Sequence, residues 1–494
     1  LSNKEIFKVG KAIPSSGWLF CFGKFLILIR QDQINAMKLR NIVPSSAQNR
    51  IARFSRKILL PVLPVLFLLP LQGGEKEKIE ADHKTTGAPF PWVAENGKGA
   101  YATGVYRNLF AENGYSDKEI SQKLNAGFDQ LFYGDTSEVI YFSAGSNVNG
   151  PMAYIKDVNH HDVRSEGMSY GMMICVQMDK KAEFDALWNW ALTWMYISDR
   201  AHPSEGYFSW SMKPDGTPNS ETPAPDGEEY FVTALYFASG RWGDGDGIYN
   251  YKAWADKILK AIRHHPGKRG PTRFGPRSVY PMVNEEHKMI RFVPNLGPGF
   301  GFTDPSYHLP AFYELWARWG PEEDRPFWAA AADTSREFFL RAVHPVTGLS
   351  SDYAHFNGSP VVSRWNSNSS IFAYDSWRTA SNWAVDWSWW AKDPRQQELS
   401  SRYQSFFISQ GMESYGCNFE TDGRVINPRH ATGLVATNAV VSLVSTHPKA
   451  KDFTDALWNA PIPSGFGERY YDGLLYLMSL LHCSGQFQIW QPRF

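Results

Sequence analysis

Cysteine is scarce in this chain. Four occur in 494 residues, Cys21, Cys175, Cys417 and Cys483. None stands in a C-x-x-C or other metal-ligand spacing, which excludes zinc ribbons and dithiol redox motifs. Cys21 precedes the segment read below as the mature chain, and the three that remain are too few and too odd in number for a disulfide framework. A bias of charge is lacking too: 50 basic and 50 acidic residues cancel, so no broad field points to nucleic acid or an anionic membrane as a partner. No apolar run reaches the ~20 residues of a comfortable membrane helix, and no stable membrane insertion of the mature chain is expected. No alternating series could build a large sheet, no fixed-period repeat marks a solenoid, and no G-x-S-x-G elbow is present. GDGDG at 243–247 resembles the start of a calcium loop, but the twelfth position counted from Asp244 is Ala255, where an EF-hand needs Glu. His264–His265 has no third ligand at metal spacing and reads as a helix end. No metal and no cofactor are expected.

What the chain has in quantity is aromatic side chains, 15% of residues, with 19 Trp and 23 Tyr. Large rings fill large cores; they also line grooves that bind flat, partly apolar ligands such as sugars. Composition alone leaves both readings open. Near the N-terminus, a basic stretch from Lys38 to Lys57 precedes the apolar run ILLPVLPVLFLLPL at 58–71, the order of an export signal. Residues 37–73 are therefore read as a signal peptide, 74–90 as a linker, and 91–494 as the mature domain. Residues 1–36 are read as upstream sequence or a misassigned start, with a genuine anchor as the alternative. Export implies a secreted or periplasmic protein.

From about residue 90 the apolar spacing is helical. SDKE at 116–119 forms a capping box, followed by Ile120, Leu124, Phe128 and Leu131 at helical intervals. Phe184, Leu187, Trp188, Ala191 and Met195 mark another helix. Further patterns cover roughly 227–239, 251–264, 305–319, 326–343, 374–391, 395–411, 432–446 and 467–483. Long Gly-, Pro-, Asn- and Asp-rich loops at 198–226, 264–304 and 412–431 separate them. About a dozen helices without an internal break predict one all-α domain, with a closed ring of paired helices as the fitting architecture. Such a ring gathers its long loops at one end to form a cleft.

Three carboxylates sit in contexts unlike surface decoration. Glu166, in DVRSEGMSYGMM, opens a helix crowded by small and apolar residues, and burial raises a carboxyl pKa. A helix-dipole role explains it equally well. Asp226, in APDGEEYF, precedes another apolar helix and reads either as a cleft residue or as an N-cap. Asp375 and Arg378, in AYDSWRTASNWAVDW, are three apart on one helix face; an arginine keeps a carboxylate ionised, as a general base requires, or simply pairs with it. Asp386, eleven residues on, is a candidate supporting partner.

Six blocks in order, DVRSEGMSYGMMICVQMDKKAEFDALWNW, APDGEEYFVTALYFASGRWGDGDGIYNY, FTDPSYHLPAFYELWARW, GLSSDYAHFNGSP, YDSWRTASNWAVDW and HATGLVATNA, resemble glycoside hydrolase family 8, in particular its xylan-active branch, over about residues 101–482. The resemblance implies an (α/α)6 barrel and inversion at the anomeric carbon. It implies Glu166 as general acid, Asp375 as general base with Arg378 beside it, and Asp226 as a residue that holds the sugar at the cleavage point. Aromatic residues of the long loops, Tyr307 and Trp210, are expected to stack on flanking sugars. In the reducing-end-specific members a Leu-His-Pro-like segment closes the cleft; here the stretch is NPRHATGLVATNA, so His430 matches the His while Arg429 and Ala431 replace its neighbours. The implied substrate is a xylan-derived oligosaccharide cut at its reducing end, with endo-cleavage of the polymer as the alternative. A lyase on the same fold and a non-catalytic sugar-binding protein are the rivals from other classes.

Overall fold

The computed structural model describes residues 18–22, 25–29 and 98–493. Residue contacts divide the chain into two units, Leu1–Thr86 and Gly87–Phe494. In the first, strands β1 (Trp18–Phe22) and β2 (Phe25–Ile29) pair antiparallel, with Trp18 opposite Ile29. The expected signal peptide at 37–73 and linker at 74–90 lie outside the described residues.

The second unit opens with two short helices, α1 (Ala100–Thr103) and α2 (Leu109–Glu112). Among the described residues, six longer helices form an outer layer: α3 (Asp117–Tyr133), α5 (Lys181–Trp190), α7 (Tyr251–His264), α9 (Arg325–Ala342), α11 (Arg395–Gln410) and α13 (Ala450–Asn459). Six more form an inner ring: α4 (Ser165–Gln177), α6 (Pro225–Trp242), α8 (Pro310–Trp319), α10 (Trp377–Trp390), α12 (Thr432–Val440) and α14 (Tyr471–Cys483). The layers follow from the sequence. Outer helices such as α7 bury one stripe (Tyr251, Ala255, Ile258, Leu259, Ile262) and expose the rest. Inner helices such as α4 and α14 are buried nearly all round and are apolar nearly all round.

Each inner helix from α4 to α12 packs on the outer helix that follows it, and neighbouring inner helices pack on each other, α6 and α8 through ring contacts such as Tyr230 on Phe312. Between α6 and α8 the join is polar as well: Trp316 Nε1 donates to Thr233 Oγ1 at 3.1 Å and Tyr313 OH to Glu229 Oε1 at 2.6 Å. The last inner helix, α14, packs on both α4 and α3 and closes the ring. This is the (α/α)6 barrel. Eight tryptophans, from Trp188 to Trp389, are fully buried in it, so most of the aromatic surplus is core.

The capping box forms as read: Ser116 Oγ accepts from Glu119 N at 3.3 Å, and Glu119 Oε2 accepts from Ser116 N at 2.8 Å. Among the described residues sheet is confined to two-stranded pieces, chiefly the hairpin β3 (Tyr141–Asn147) and β4 (Gly150–Ile155). GDGDG is a turn in which Asp244 Oδ1 accepts from Lys252 N at 2.9 Å. His264 ends α7, with Nε2 2.6 Å from Asp324. Among the described residues no acid, His or Cys cluster could hold a metal, no helix is long and apolar enough to cross a membrane, and Cys175, Cys417 and Cys483 are buried and unpaired.

Two expected helices break at their starts. Pro305–Tyr307 and Tyr374–Ser376 are single 3₁₀ turns, and the α-helices begin only at Pro310 and Trp377. The breaks place Ser306 and Asp375 at the N-terminal mouth of the inner ring.

Candidate active site

Inner helices α4, α6 and α10 begin at that mouth, which the long loops surround. A cavity of about 760 Å³ opens there. All three loops named from the sequence reach it, through Trp210 and Thr222–Ala224, Phe292–Val293, and Arg429. A fourth, between α9 and α10, adds Asp352, Tyr353, Trp365 and Asn366.

The floor is organised by one buried cation. Arg378 Nη1 donates to Glu166 Oε2 at 3.0 Å, to Tyr170 OH at 2.6 Å and to Asp226 Oδ2 at 3.3 Å. Its Nη2 contacts Asp375 Oδ1 at 2.9 Å and Ser306 Oγ at 3.0 Å. The carboxylates chosen from the sequence, the farthest of them 212 residues from Arg378 along the chain, are thus gathered on a single guanidinium. Two glycines make the approach feasible. A Cβ on Gly167 would stand 2.6 Å from the Tyr470 ring, and one on Gly227 would stand 2.4 Å from Ser165 Oγ. With Gly167 in place, Tyr470 lies against the first turn of α4 and its OH donates to Glu166 Oε1 at 3.1 Å. Asp226 is in the first turn of α6, after Ala224 and Pro225; it accepts from Gly227 N at 2.9 Å and is not the N-cap.

Asp375 is the most open of the three, its side chain 30% exposed against 15% for Glu166 and 8% for Asp226. The residue before it, Tyr374, has φ +42°, a left-handed conformation that costs a bulky residue of order 1–3 kcal/mol. Tyr471 OH donates to the Tyr374 carbonyl at 3.0 Å and stands 3.4 Å from Asp375 Oδ1. The strained turn is thereby held with its carboxylate facing the cavity.

Burial in this floor pushes the Glu166 carboxyl up to about 7. Arg378 opposes the rise, and the charges of Asp226 and Asp375 reinforce it. Burial likewise raises Asp226 to about 6, with Arg378 opposing and Asp375 reinforcing. The site therefore combines a carboxyl that keeps its proton near neutrality with an open carboxylate held on the same guanidinium. One can donate a proton and the other can accept one.

Tyr307 and Trp210 both line the cavity. Trp210 is partly exposed, with the Arg164 guanidinium 5.6 Å from its ring centre. His430 is not among the cavity's lining residues: it is exposed, and its Nδ1 lies 2.9 Å from the Tyr415 carbonyl. Its neighbour Arg429 lines the cavity instead, tied to Glu468 at 2.7 Å and Asp472 at 3.4 Å. Asp386 does not reach the cavity; it is buried behind the floor against Arg336.

Sequence reasoning passed over Tyr470 and Tyr471, which read only as apolar helix, and the buried carboxylates Asp304 and Asp352. Burial raises both of these well above the usual carboxylate range, with the nearby Asp375 charge adding to it. A signal was available in FTDPSYHLP and GLSSDYAHF, where a lone Asp sits among apolar and hydroxyl-bearing neighbours.

The chain is similar to known proteins over about four-fifths of its length. A curated relative from Paenibacillus barcinonensis, named a reducing-end xylose-releasing exo-oligoxylanase, is 45% identical over 396 residues, 80% of this chain and 99% of the relative. One of the same name from Halalkalibacterium halodurans is 44% identical, covering 80% and 97%. A crystal structure from Teredinibacter turnerae, described as a GH8 xylobiose complex, superposes with a TM-score of 0.78 at 50% identity, covering 80% of this chain and all of that one. The family model described as Glycosyl hydrolases family 8 matches residues 146–273 and 297–485, and the chain belongs to that family.

Proposed function

We propose that this protein is an inverting glycoside hydrolase that acts on β-1,4-xylan-derived oligosaccharides and releases xylose from their reducing ends. Glu166 donates its proton to the leaving glycosidic oxygen. Asp375 takes a proton from water, which attacks the anomeric carbon from the opposite face as the bond to the leaving oxygen breaks. Asp226, held with them on Arg378, binds and positions the sugar at the cleavage point. Tyr307 and Trp210 present ring faces to the sugars. Inversion requires carboxylates ~6.5–9.5 Å apart so that water fits; two carboxylates bound to different nitrogens of one guanidinium, and not to each other, suit that requirement.

The observation that carries the reading is the raised Glu166 carboxyl on Arg378 beneath a cavity of oligosaccharide size. A simple binding protein has no use for an acid and a base so paired, and a lyase would need cationic or Tyr/His chemistry against a uronic acid, where here carboxylates are in excess. Three curated relatives, 38–45% identical, carry the exo-oligoxylanase name. One observation favours the endo alternative: Arg429, which stands where the reducing-end-specific pattern has Leu, is tied to Glu468 and Asp472, and His430 is directed to Tyr415. A Teredinibacter turnerae structure at 50% identity is described as a xylanase in complex with xylohexaose.

Product analysis on xylotriose, xylohexaose and polymeric xylan separates the two. Xylose plus a shortened oligomer, with polymer hardly touched, is the expected result; rapid loss of polymer viscosity would establish endo-cleavage. The basic-then-apolar order at 38–71 supports export to the periplasm or medium, to be checked by fractionating cells that express the full chain.

A further inference from the structure

One loop of the cavity wall has no part in the chemistry above. Trp365, between α9 and α10, is 53% exposed yet faces the cavity. Exposed tryptophans on loops are normally loose or accidental; this one is built in. Its ring lies nearly parallel to that of Phe302, 21° and 6.3 Å away. Phe302 belongs to a small apolar cluster with Tyr353 and Val361, separate from the barrel core, against which Phe292 packs. Phe302 thus links the Trp365 ring to that cluster.

The loop is closed on itself by polar contacts. Ser363 N donates to Ser369 Oγ at 2.9 Å, Asn366 N to Ser363 Oγ at 3.0 Å, and Asn368 N to Asn366 Oδ1 at 2.9 Å. Asn366 then anchors it to the floor: its Nδ2 donates to Asp352 Oδ2 at 2.9 Å. Asp352 is buried, lines the cavity, and its Oδ1 has no protein partner. A buried carboxyl is expensive unless bonded. Here it holds the residue next to Trp365.

From this we propose that Trp365 is the aromatic platform of a sugar subsite outside the Arg378 cluster, and that Asp352, through Asn366, is the positioning residue that fixes it. The inference rests on the oligosaccharide-hydrolase reading. A pyranose ring presents an apolar face of C–H groups, which a flat indole backed by an aromatic cluster matches. Because no hydrogen bond, ion pair or ring contact joins Trp365 to Glu166, Asp226, Asp375 or Arg378, the platform contributes to binding of long chains and not to bond breaking.

The test is chain-length dependence. In Trp365→Ala, KM for xylohexaose rises about tenfold, while kcat, and both constants for xylotriose, stay within about twofold. Asn366→Ala gives the same length-dependent pattern, weaker, because the ring remains but its loop is released. Equal KM changes for short and long oligomers, or a fall in kcat with KM unchanged, would overturn the proposal. Should the parent cleave no xylo-oligomer, the function reading fails. The subsite is then read separately by calorimetry, where parent protein that binds xylohexaose more tightly than xylotriose, and Trp365→Ala that does not, sustains it; equal affinities in both proteins overturn it.

Discussion

Two buried arginines, Arg336 and Arg378, each gather carboxylates inside the same barrel, and they serve opposite ends. Arg336 donates to Asp386 through Nε and Nη2 at 2.8 and 2.7 Å, and through Nη1 to Glu314 and Asp333 at 2.9 and 2.8 Å. Glu314 also binds Lys392 Nζ at 2.5 Å and Arg318 Nη1 at 2.7 Å, while Gln396 caps Asp386 at 2.8 Å. Carboxylates and cations balance. Burial pushes Glu314 up, but Lys392, Arg336 and Arg318 outweigh it, and the net pKa is lowered. Around Arg378 a single guanidinium meets Glu166, Asp226 and Asp375. Arg164, which also acts on Glu166, is engaged by Asp157 at 3.2 Å and Asp162 at 3.1 Å. Burial raises Glu166, and with the negative charges in excess Arg378 does not offset the rise, so Glu166 keeps its proton. The difference teaches that a buried arginine with carboxylates suits a structural strut when charges match, and suits the proposed acid–base site when they do not and a cavity lies above.

The comparison breaks most sharply by removing one acid from each cluster. Glu166→Gln should lower kcat by about 10²–10⁴-fold, with oligomer binding kept and thermal stability unimpaired; steady-state kinetics with calorimetric binding checks it. Asp386→Ala leaves Arg336 without its bidentate partner and should cost about 3–5 kcal/mol of stability, read by urea unfolding, with kcat of the folded enzyme unchanged. A large loss of turnover from Asp386→Ala in folded protein would erase the distinction.

A third effect follows from linkage. The folded-state pKa of Glu166, about 7, lies above its ordinary 4.5. A raised folded pKa stabilises the native state below the unfolded value, and that stability is lost as pH rises through the folded one. Glu166→Gln has no such loss. Relative to the parent, its unfolding free energy should therefore gain on the order of 3 kcal/mol between pH 4.5 and 7, measured by denaturant unfolding across that range. The smallest effect is expected from Lys392→Met. It removes a half-exposed cation at the rim of the balanced cluster and should cost no more than ~1 kcal/mol.

The sequence made the ring and its charged floor legible for the same reason: inner helices must be apolar on every side, so a carboxylate among them stands out. Glu166, Asp226 and Asp375 are such exceptions. Helix α13 escaped notice because it is short and half-exposed, and the β3–β4 hairpin because its exposed residues carry little alternation. The 3₁₀ turns at Pro305 and Tyr374 were invisible, since a 3₁₀ turn continues an α-helical spacing with little change. Tyr470, Tyr471 and Trp365 could not be found from local pattern at all: their roles arise from which turns meet across the ring mouth. His430 matched a motif by type, yet the structure puts Arg429 in the cavity wall, because the Arg429 side chain reaches Glu468 and Asp472 while His430 meets Tyr415.

The central claim is that burial, reinforced by the excess of negative charge around Arg378, holds Glu166 protonated near neutrality. The pH dependence of kcat/KM on xylotriose tests it most directly. A descending alkaline limb centred near pH 7 is the predicted result; a profile already falling at the ordinary glutamate value of 4.5, or one that stays flat well above neutrality, would contradict it.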